Sequence, residues 1–351
     1  MRIALYYDDS GYKEQLTASA RPTSGGPKGL MGRQVAGKEF LEAYLMHASE
    51  NEAVALVRNR SQGNSLIQTC QAHPATKVRN RRWQIIEERE LRSRFQNDSP
   101  ASILYFPCPL DARYAWMRQH LGSDTFSLCG VTHTLSSLPP VRQLCEMVTA
   151  PFEHHDALIC TSQAVVDMVK EVTSTYASYL KERMGGDPQL RVRLEKMHLG
   201  VDPQKFRPRS AQEKDHWRGA LVIKEDEIAV LFVGRLSHHG KAHPYPLYRC
   251  VSEAVKQTGR KAHLILSGWA AHPAVQSAFE EGARELAPNV RVTFVDGTDP
   301  AKRFGVWHAA DIFASFSDNI QETFGLVIVE AMACGLPVVA SDWNGYRDLV
   351  V

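Results

Sequence analysis

The sequence carries little surplus charge. Lys plus Arg number 41 and Asp plus Glu 39, a formal balance of +2. That gives no support for a nucleic-acid-binding surface, so no nucleic-acid partner is expected. No apolar stretch approaches the ~18 residues of a membrane-spanning helix. The seven cysteines are odd in number and irregularly spaced, and none forms a C-x-x-C pair. This argues against a disulfide framework or a zinc site and for reduced thiols in a cytoplasmic protein. No short-period repeat and no low-complexity tract is present. Residues 1–7 form an apolar run that breaks at Asp8-Asp9, without the longer core and small-residue cleavage site of a signal peptide.

What remains is the composition of a soluble globular protein: 351 residues, 44% hydrophobic and 23% charged, long enough for two ordinary domains. Short apolar strands alternate with longer helical segments throughout. Strands are expected over 2–7, 53–57, 103–106, 127–132 and 157–160, with helices over 33–48, 111–120, 141–148 and 163–180. The second half repeats the alternation, with strands over 228–233, 263–267, 291–295, 312–315 and 338–340 and helices over 247–258, 274–286 and 300–309. Such alternation implies α/β architecture with parallel sheets and crossover helices, here two doubly wound Rossmann-like domains. Gly200, Pro203 and Pro208 interrupt the periodicity, so the domains are placed at 1–205 and 206–351. The stretch 77–94 holds seven Lys or Arg against three Glu. It reads as weak peripheral attraction to an anionic membrane or as a solvated helix face, and the second reading is favoured.

Four motifs sit where doubly wound sheets bind ligands, beyond the carboxyl ends of strands. In the first, the strand 228–233 runs into Gly234 and Arg235, with Lys241 following on the loop. Two cations there suit a diphosphate, although either alone reads as an ordinary loop cation. The second is the run from Glu322 through Thr323, Phe324, Gly325 and Leu326 to Glu330. Gly325 allows close backbone approach and the helix after it offers free N–H groups to a phosphate. Each glutamate can accept hydrogen bonds from adjacent sugar hydroxyls. Alternatively, Glu322 reads as a helix N-terminal charge and Glu330 as an exposed helix residue, although Val329 and Ala331 argue against free exposure. The third is a strand ending in Thr132-His133-Thr134, where His133 is either a hydrogen-bonding group at a reacting centre or a structural histidine. The fourth is the glycine-rich loop 24–33, which opens a helix at Gly32-Arg33. It has neither Walker nor G-x-G-x-x-G spacing and reads as a lip over a cleft. The pairs His154-His155 and His238-His239 lack acidic or Cys partners at ligand spacing and are not read as metal ligands, with His238 and His239 placed at the border of the phosphate site.

Together these residues resemble the family 4 glycosyltransferases, retaining enzymes of the GT-B fold, over most of the chain. The carriers are Val233-Gly234-Arg235-Leu236 with Lys241, Leu199-Gly200-Val201-Asp202 with Phe206, and Asp311 to Ser315. Most specific is the E-x7-E run from Glu322 to Glu330 with Ala331-Met332-Ala333-Cys334-Gly335-Leu336-Pro337 behind it. The resemblance implies a nucleotide-diphospho-sugar as donor substrate, a hydroxyl-bearing acceptor, and neither metal nor other cofactor. It implies donor binding by the second domain and acceptor binding by the first, with catalysis in the cleft between. Arg235 and Lys241 would hold the diphosphate, Glu330 the ribose and Glu322 the donor sugar. The backbone at Phe324, Gly325 and Leu326 would touch sugar and phosphate. His133 would lie near the donor sugar and Gly32 near phosphate and acceptor. Two departures stand out. The spacing from Arg235 to Lys241 is one residue longer than in the family, and family members continue past Val351, so the second domain is expected to lack its C-terminal part. A sugar phosphorylase, a nucleotide-sugar epimerase or a binding module without turnover are the alternatives on the same fold.

Overall fold

The computed structural model describes residues 2–13, 32–74 and 81–350. Their main division falls between His198 and Leu199, giving two units.

The first unit is built on a seven-stranded sheet, β1 (Ile3–Tyr7), β2 (Glu52–Val57), β3 (Arg82–Glu87), β4 (Ile103–Phe106), β5 (Ser127–Val131), β6 (Ala157–Cys160) and β7 (Arg193–Lys196). All neighbours are parallel, in the order β3-β2-β1-β4-β5-β6-β7. Alternate residues of a strand enter opposite cores, as a two-residue period demands. Ala4 and Tyr6 join Val54, Leu56, Leu104 and Phe106 on one face, and Leu5 and Tyr7 join Ala55, Val57 and Leu41 on the other. The crossover segments are α1 (Asp9–Tyr12), α2 (Gly32–His47), α3 (Arg60–Ala72), α4 (Leu91–Asn97), α5 (Ala112–Gln119), α6 (Leu138–Thr149) and α7 (Gln163–Met184). Side-chain caps fix several starts. Asn59 accepts from the Gln62 N–H and Ser162 from the Val165 N–H, satisfying orphan donors of α3 and α7.

The second unit carries β8 (Glu227–Val233), β9 (Lys261–Gly268), β10 (Arg291–Asp296), β11 (Ile312–Ser315) and β12 (Val338–Ala340) in the parallel order β10-β9-β8-β11-β12. Ala229 and Leu231 face Ile265 and Phe313, whereas Val230 and Phe232 face Leu264, Leu266 and Leu247. Its helices are α8 (Ala211–Ala220), α9 (Pro244–Thr258), α10 (Pro273–Leu286), α11 (Pro300–Ala309) and α12 (Leu326–Ala333). Three of them open on a proline, which costs nothing where the N–H would be unsatisfied anyway. The residue before each, His243, His272 and Asp299, supplies the cap.

One boundary shifts and one reading narrows. The units part seven residues before the expected boundary at Lys205. β7 completes the first sheet, while Val201 and Phe206 pack into a core of the second unit and the Lys205 and Phe206 N–H groups both donate to the Asp202 carbonyl. The basic stretch is a helix face only in part, at Arg92 and Arg94. Its described part is the edge strand β3, a 3-10 turn over Glu88–Glu90 and α4. Arg82 and Glu87 put charge on the edge strand, which discourages pairing with other chains. The loop 24–31 lies outside the described residues, and Gly32 is the first residue of α2, exposed, with no atom of the described residues within 4 Å of where a Cβ would stand.

Candidate active site

In the second unit the strand order reverses at β8, which has β9 on one side and β11 on the other. In doubly wound sheets such a switch point is where ligands bind, here the crevice position beyond the carboxyl ends of β8 and β11. Gly234 and Arg235 leave β8 there, and the segment 316–325 leaves β11 there.

Arg235 is half-buried, and burial alone lowers the pKa of its guanidinium, which still remains a cation at neutral pH. Among the described residues no carboxylate forms an ion pair with it. Its guanidinium lies under Gly240, where an added Cβ would stand 2.4 Å from Nη2. The turn carrying Gly240 is closed by Ser237. Its hydroxyl accepts from the Gly240 N–H at 3.1 Å, and its carbonyl from the Lys241 N–H at 3.1 Å.

Lys241 Nζ lies 2.7 Å from Glu322 Oε2, and the Glu322 side chain is only 8% exposed. Two further bonds join the same loops. Ser317 Oγ donates to the Lys241 carbonyl at 3.2 Å, and the Asn319 side-chain amide donates to the His239 carbonyl. Thr323 and Phe324 are buried beside Glu322.

Gly325 is the N-cap of α12, with φ of 102°, a conformation that favours glycine. A Cβ there would also stand 2.4 Å from the Tyr346 ring. The first N–H groups of α12, beginning at Leu326, lack intrahelical acceptors, and the helix dipole makes that end partly positive. Glu330 is buried within the same helix, which excludes the exposed-residue reading.

Beneath this run lies a brace the sequence reading did not single out. The hydroxyls of Tyr346 and Ser315 are 2.8 Å apart, and the Gly345 N–H donates to the Glu322 carbonyl at 3.2 Å. Burial, with the Glu322 charge nearby, pushes the Tyr346 phenol well above its ordinary pKa. The Trp343-Asn344-Gly345-Tyr346 sequence was its visible signal, since Asn and Gly mark a turn.

His238 and His239 do not act as a pair. His238 packs against the His243 and Phe279 rings, with centroids 4.9 and 4.8 Å away, while His239 is exposed and contributes its carbonyl to Asn319. In the first unit, His155 lies 3.3 Å from the buried Arg118 guanidinium.

His133 follows β5 in the first unit. Burial and the Arg33 cation push its pKa down to about 4, against a smaller upward pull from a hydrogen bond with the Pro107 carbonyl. The ring is therefore neutral at pH 7. Arg33 stands in the first turn of α2, within range for its charge to act on His133.

Comparison with known proteins adds the following. Residues 213–351 match the family model described as "Glycosyl transferases group 1". The D-inositol 3-phosphate glycosyltransferase of Rhodococcus erythropolis (strain PR4 / NBRC 100887) is 31% identical over 237 residues, 66% of this chain and 51% of that protein. The protein of the same name from Nocardia farcinica (strain IFM 10152) is 34% identical over 190 residues, 53% and 40% of the two chains. The chain thus spans about half the length of the curated relatives it matches. Among solved structures, Anabaena Alr3699/HepE in complex with UDP superposes with a TM-score of 0.63 at 18% identity, covering 100% of this chain and 83% of that one. WaaG, a glycosyltransferase involved in lipopolysaccharide biosynthesis, gives 0.52 at 14% identity over 98% and 82%. The fold is therefore that of GT-B glycosyltransferases, two Rossmann-like units each with a parallel sheet.

Proposed function

We propose that this chain is a retaining, metal-independent glycosyltransferase that moves a sugar from a nucleoside diphospho-sugar to a hydroxyl acceptor. The observation that carries the reading is Arg235, a half-buried cation with no carboxylate pair among the described residues, at the switch point of the second sheet. A desolvated guanidinium without a counter-ion suits an anionic ligand, and a diphosphate offers paired oxygens to its fork. The match of residues 213–351 to group 1 glycosyl transferases supports the same assignment, as does the UDP bound by the Anabaena relative.

The roles follow from the groups present. Arg235 and Lys241 hold the diphosphate with the first N–H groups of α12 and the backbone at Gly234, Thr323, Phe324, Gly325 and Leu326. Glu322 accepts hydrogen bonds from the donor sugar, and Glu330 from the ribose hydroxyls. His133, uncharged at pH 7, exchanges hydrogen bonds with a sugar and supplies no cation. Gly32 has no atom of the described residues within 4 Å of where a Cβ would stand, which suits a place beside phosphate and acceptor. In the transfer step the acceptor oxygen bonds to the anomeric carbon as the bond to the β-phosphate oxygen breaks. The leaving diphosphate takes the electron pair, and its oxygen receives the acceptor proton. Fixed cations and N–H dipoles stabilise the charge developing on the phosphates.

The test is incubation of the protein with UDP-, GDP- and ADP-sugars and a panel of acceptors in EDTA, with and without inorganic phosphate. Nucleoside diphosphate and a glycoside of retained anomeric configuration are expected. Sugar 1-phosphate formed only when phosphate is added would overturn the reading in favour of a phosphorylase.

A further inference from the structure

The first unit carries a second polar cluster that the motifs above did not draw on. It lies beyond the carboxyl ends of β1, β2 and β3. Tyr6 and Asp8 come from the end of β1, Arg58 follows β2, Glu88 follows β3, and Asp111, Arg113 and Tyr114 belong to the start of α5. The aromatic trio Tyr6, Phe106 and Tyr114 forms its floor, with ring centroids 4.7 to 6.2 Å apart.

Two carboxylates there share one arrangement. Asp8 has Oδ1 held by the Ser10 hydroxyl at 2.5 Å and the Ser10 N–H at 2.9 Å. Its Oδ2 faces Arg58 Nη2 at 3.9 Å, and Arg58 also hydrogen-bonds to the Tyr6 hydroxyl. Glu88 has Oε1 held by the Tyr114 hydroxyl at 2.5 Å, while its Oε2 faces Arg113 Nη1 at 4.0 Å. Each carboxylate is thus fixed by one oxygen and holds the other across a gap from a guanidinium. These gaps are too long for a hydrogen bond. An oxygen placed at hydrogen-bonding distance from both sides of such a gap can accept from the arginine and donate to the carboxylate. A hydroxyl does both, whereas an ionised phosphate oxygen can only accept.

The charge balance points the same way. Asp8, Glu88 and Asp111 stand against Arg58 and Arg113, and Arg113 is already bonded to Asp111 at 2.8 Å. The flanking pairs Lys13–Asp9 and Arg89–Glu87, each at 3.1 Å, cancel. Arg33, whose charge reaches Cys108 together with those of Asp8 and Asp111, brings the described groups to balance. An ionised phosphate finds no surplus cation there.

We infer that this cluster is a binding site for a neutral polyhydroxyl ring, a sugar or cyclic polyol, whose hydroxyls bridge Arg58 to Asp8 and Arg113 to Glu88. Resting on the transferase reading, the ring is the acceptor, and it carries no phosphate at the position seated here. That departs from the D-inositol 3-phosphate in the names of the curated relatives.

Calorimetric titration of the full chain tests this, using myo-inositol, glucose and N-acetylglucosamine against their monophosphates, with UDP titrated separately. At least one neutral ring is expected to bind, and its phosphorylated counterpart at least tenfold more weakly. Asp8→Asn and Glu88→Gln should each weaken the neutral ring at least tenfold and leave UDP unchanged. Because Asp8 caps α1, Arg58→Met on the exposed side serves as the variant least coupled to folding, with the same loss expected. Three results overturn the inference: tighter binding of the phosphorylated ring, neutral-ring binding indifferent to all three substitutions, or no ring bound by a protein that binds UDP. Failure to bind any nucleoside diphosphate, with the polyol still bound, would instead count against the transferase reading.

Discussion

Lys241 Nζ and Glu322 Oε2, 81 residues apart in sequence, meet at 2.7 Å and tie the loop after β8 to the loop after β11. Lys241 is therefore already neutralised by a carboxylate, whereas Arg235 has no such pair among the described residues. A diphosphate must compete with Glu322 for Lys241 but not with any carboxylate for Arg235. Arg235→Ala should accordingly cost more donor affinity than Lys241→Ala, about 100-fold against about 10-fold, a difference of about 1.4 kcal/mol. Thermal-shift titration with UDP ranks the two. Equal losses would contradict the argument.

The Tyr346 ring packs against Gly325 Cα at the start of α12, and its hydroxyl bonds to Ser315. Tyr346→Phe removes the hydroxyl, which also bonds to Ser317, and should cost on the order of 1 kcal/mol of stability. Gly325→Ala meets both the left-handed backbone and the ring, and should cost more, about 1–3 kcal/mol. Denaturant unfolding measures both. Turnover of a donor sugar should fall further in Gly325→Ala, because the start of α12 moves with it.

His133 makes stability depend on pH with a definite sign. Its folded pKa of about 4 lies below the ordinary 6.5. Between those values the unfolded chain takes up a proton that the folded protein does not. Stability from this residue is thus complete above pH 6.5 and is lost as pH falls toward 4. His238, His263 and His308 are lowered in the same direction, so the measurement is a difference. His133→Gln should flatten the fall in melting temperature between pH 6.5 and 4 relative to the unmodified chain. An unchanged slope would refute the assignment.

Just before β6 in the first sheet, Asp156 is fully buried and paired with Arg118, with the second carboxylate oxygen at 2.7 Å from Nη2. It also accepts from the Leu128 and Glu153 N–H groups at 2.8 Å each. Asp156→Ala leaves a buried guanidinium and two N–H groups without their acceptor and should cost about 3–5 kcal/mol. Calorimetric melting should show the loss, while UDP affinity of any folded protein stays unchanged because the proposed donor groups lie in the other unit.

Much of this fold was legible because both sheets have buried central strands written as apolar runs, such as residues 228–233 and 53–57. The two edge strands β3 and β7 were not, because Arg82-Trp83-Gln84-Ile85-Ile86-Glu87 and Arg193-Leu194-Glu195-Lys196 carry the charges an edge needs. Helix α3 escaped for a related reason: only Gly63, Leu66 and Cys70 are buried along its mostly polar length. In the candidate site, residue types at strand ends were readable, but pairings between distant loops were not. Nothing local marks Asn319 as a partner of His239, or Tyr346 as the support of Gly325. Nor does the His238-His239 doublet show which of the two turns inward: aromatic packing places His238 against Phe279, while His239 is exposed.

The central claim is that the crevice at β8 and β11 binds a nucleoside diphosphate through Arg235 without a metal. Calorimetric titration of UDP, GDP and ADP in EDTA, into the unmodified chain and into Arg235→Ala, tests it directly. The account predicts that at least one nucleotide binds and that the substitution weakens it about 100-fold, or about 2.7 kcal/mol. Absence of binding by all three, or equal binding to the variant, would contradict it.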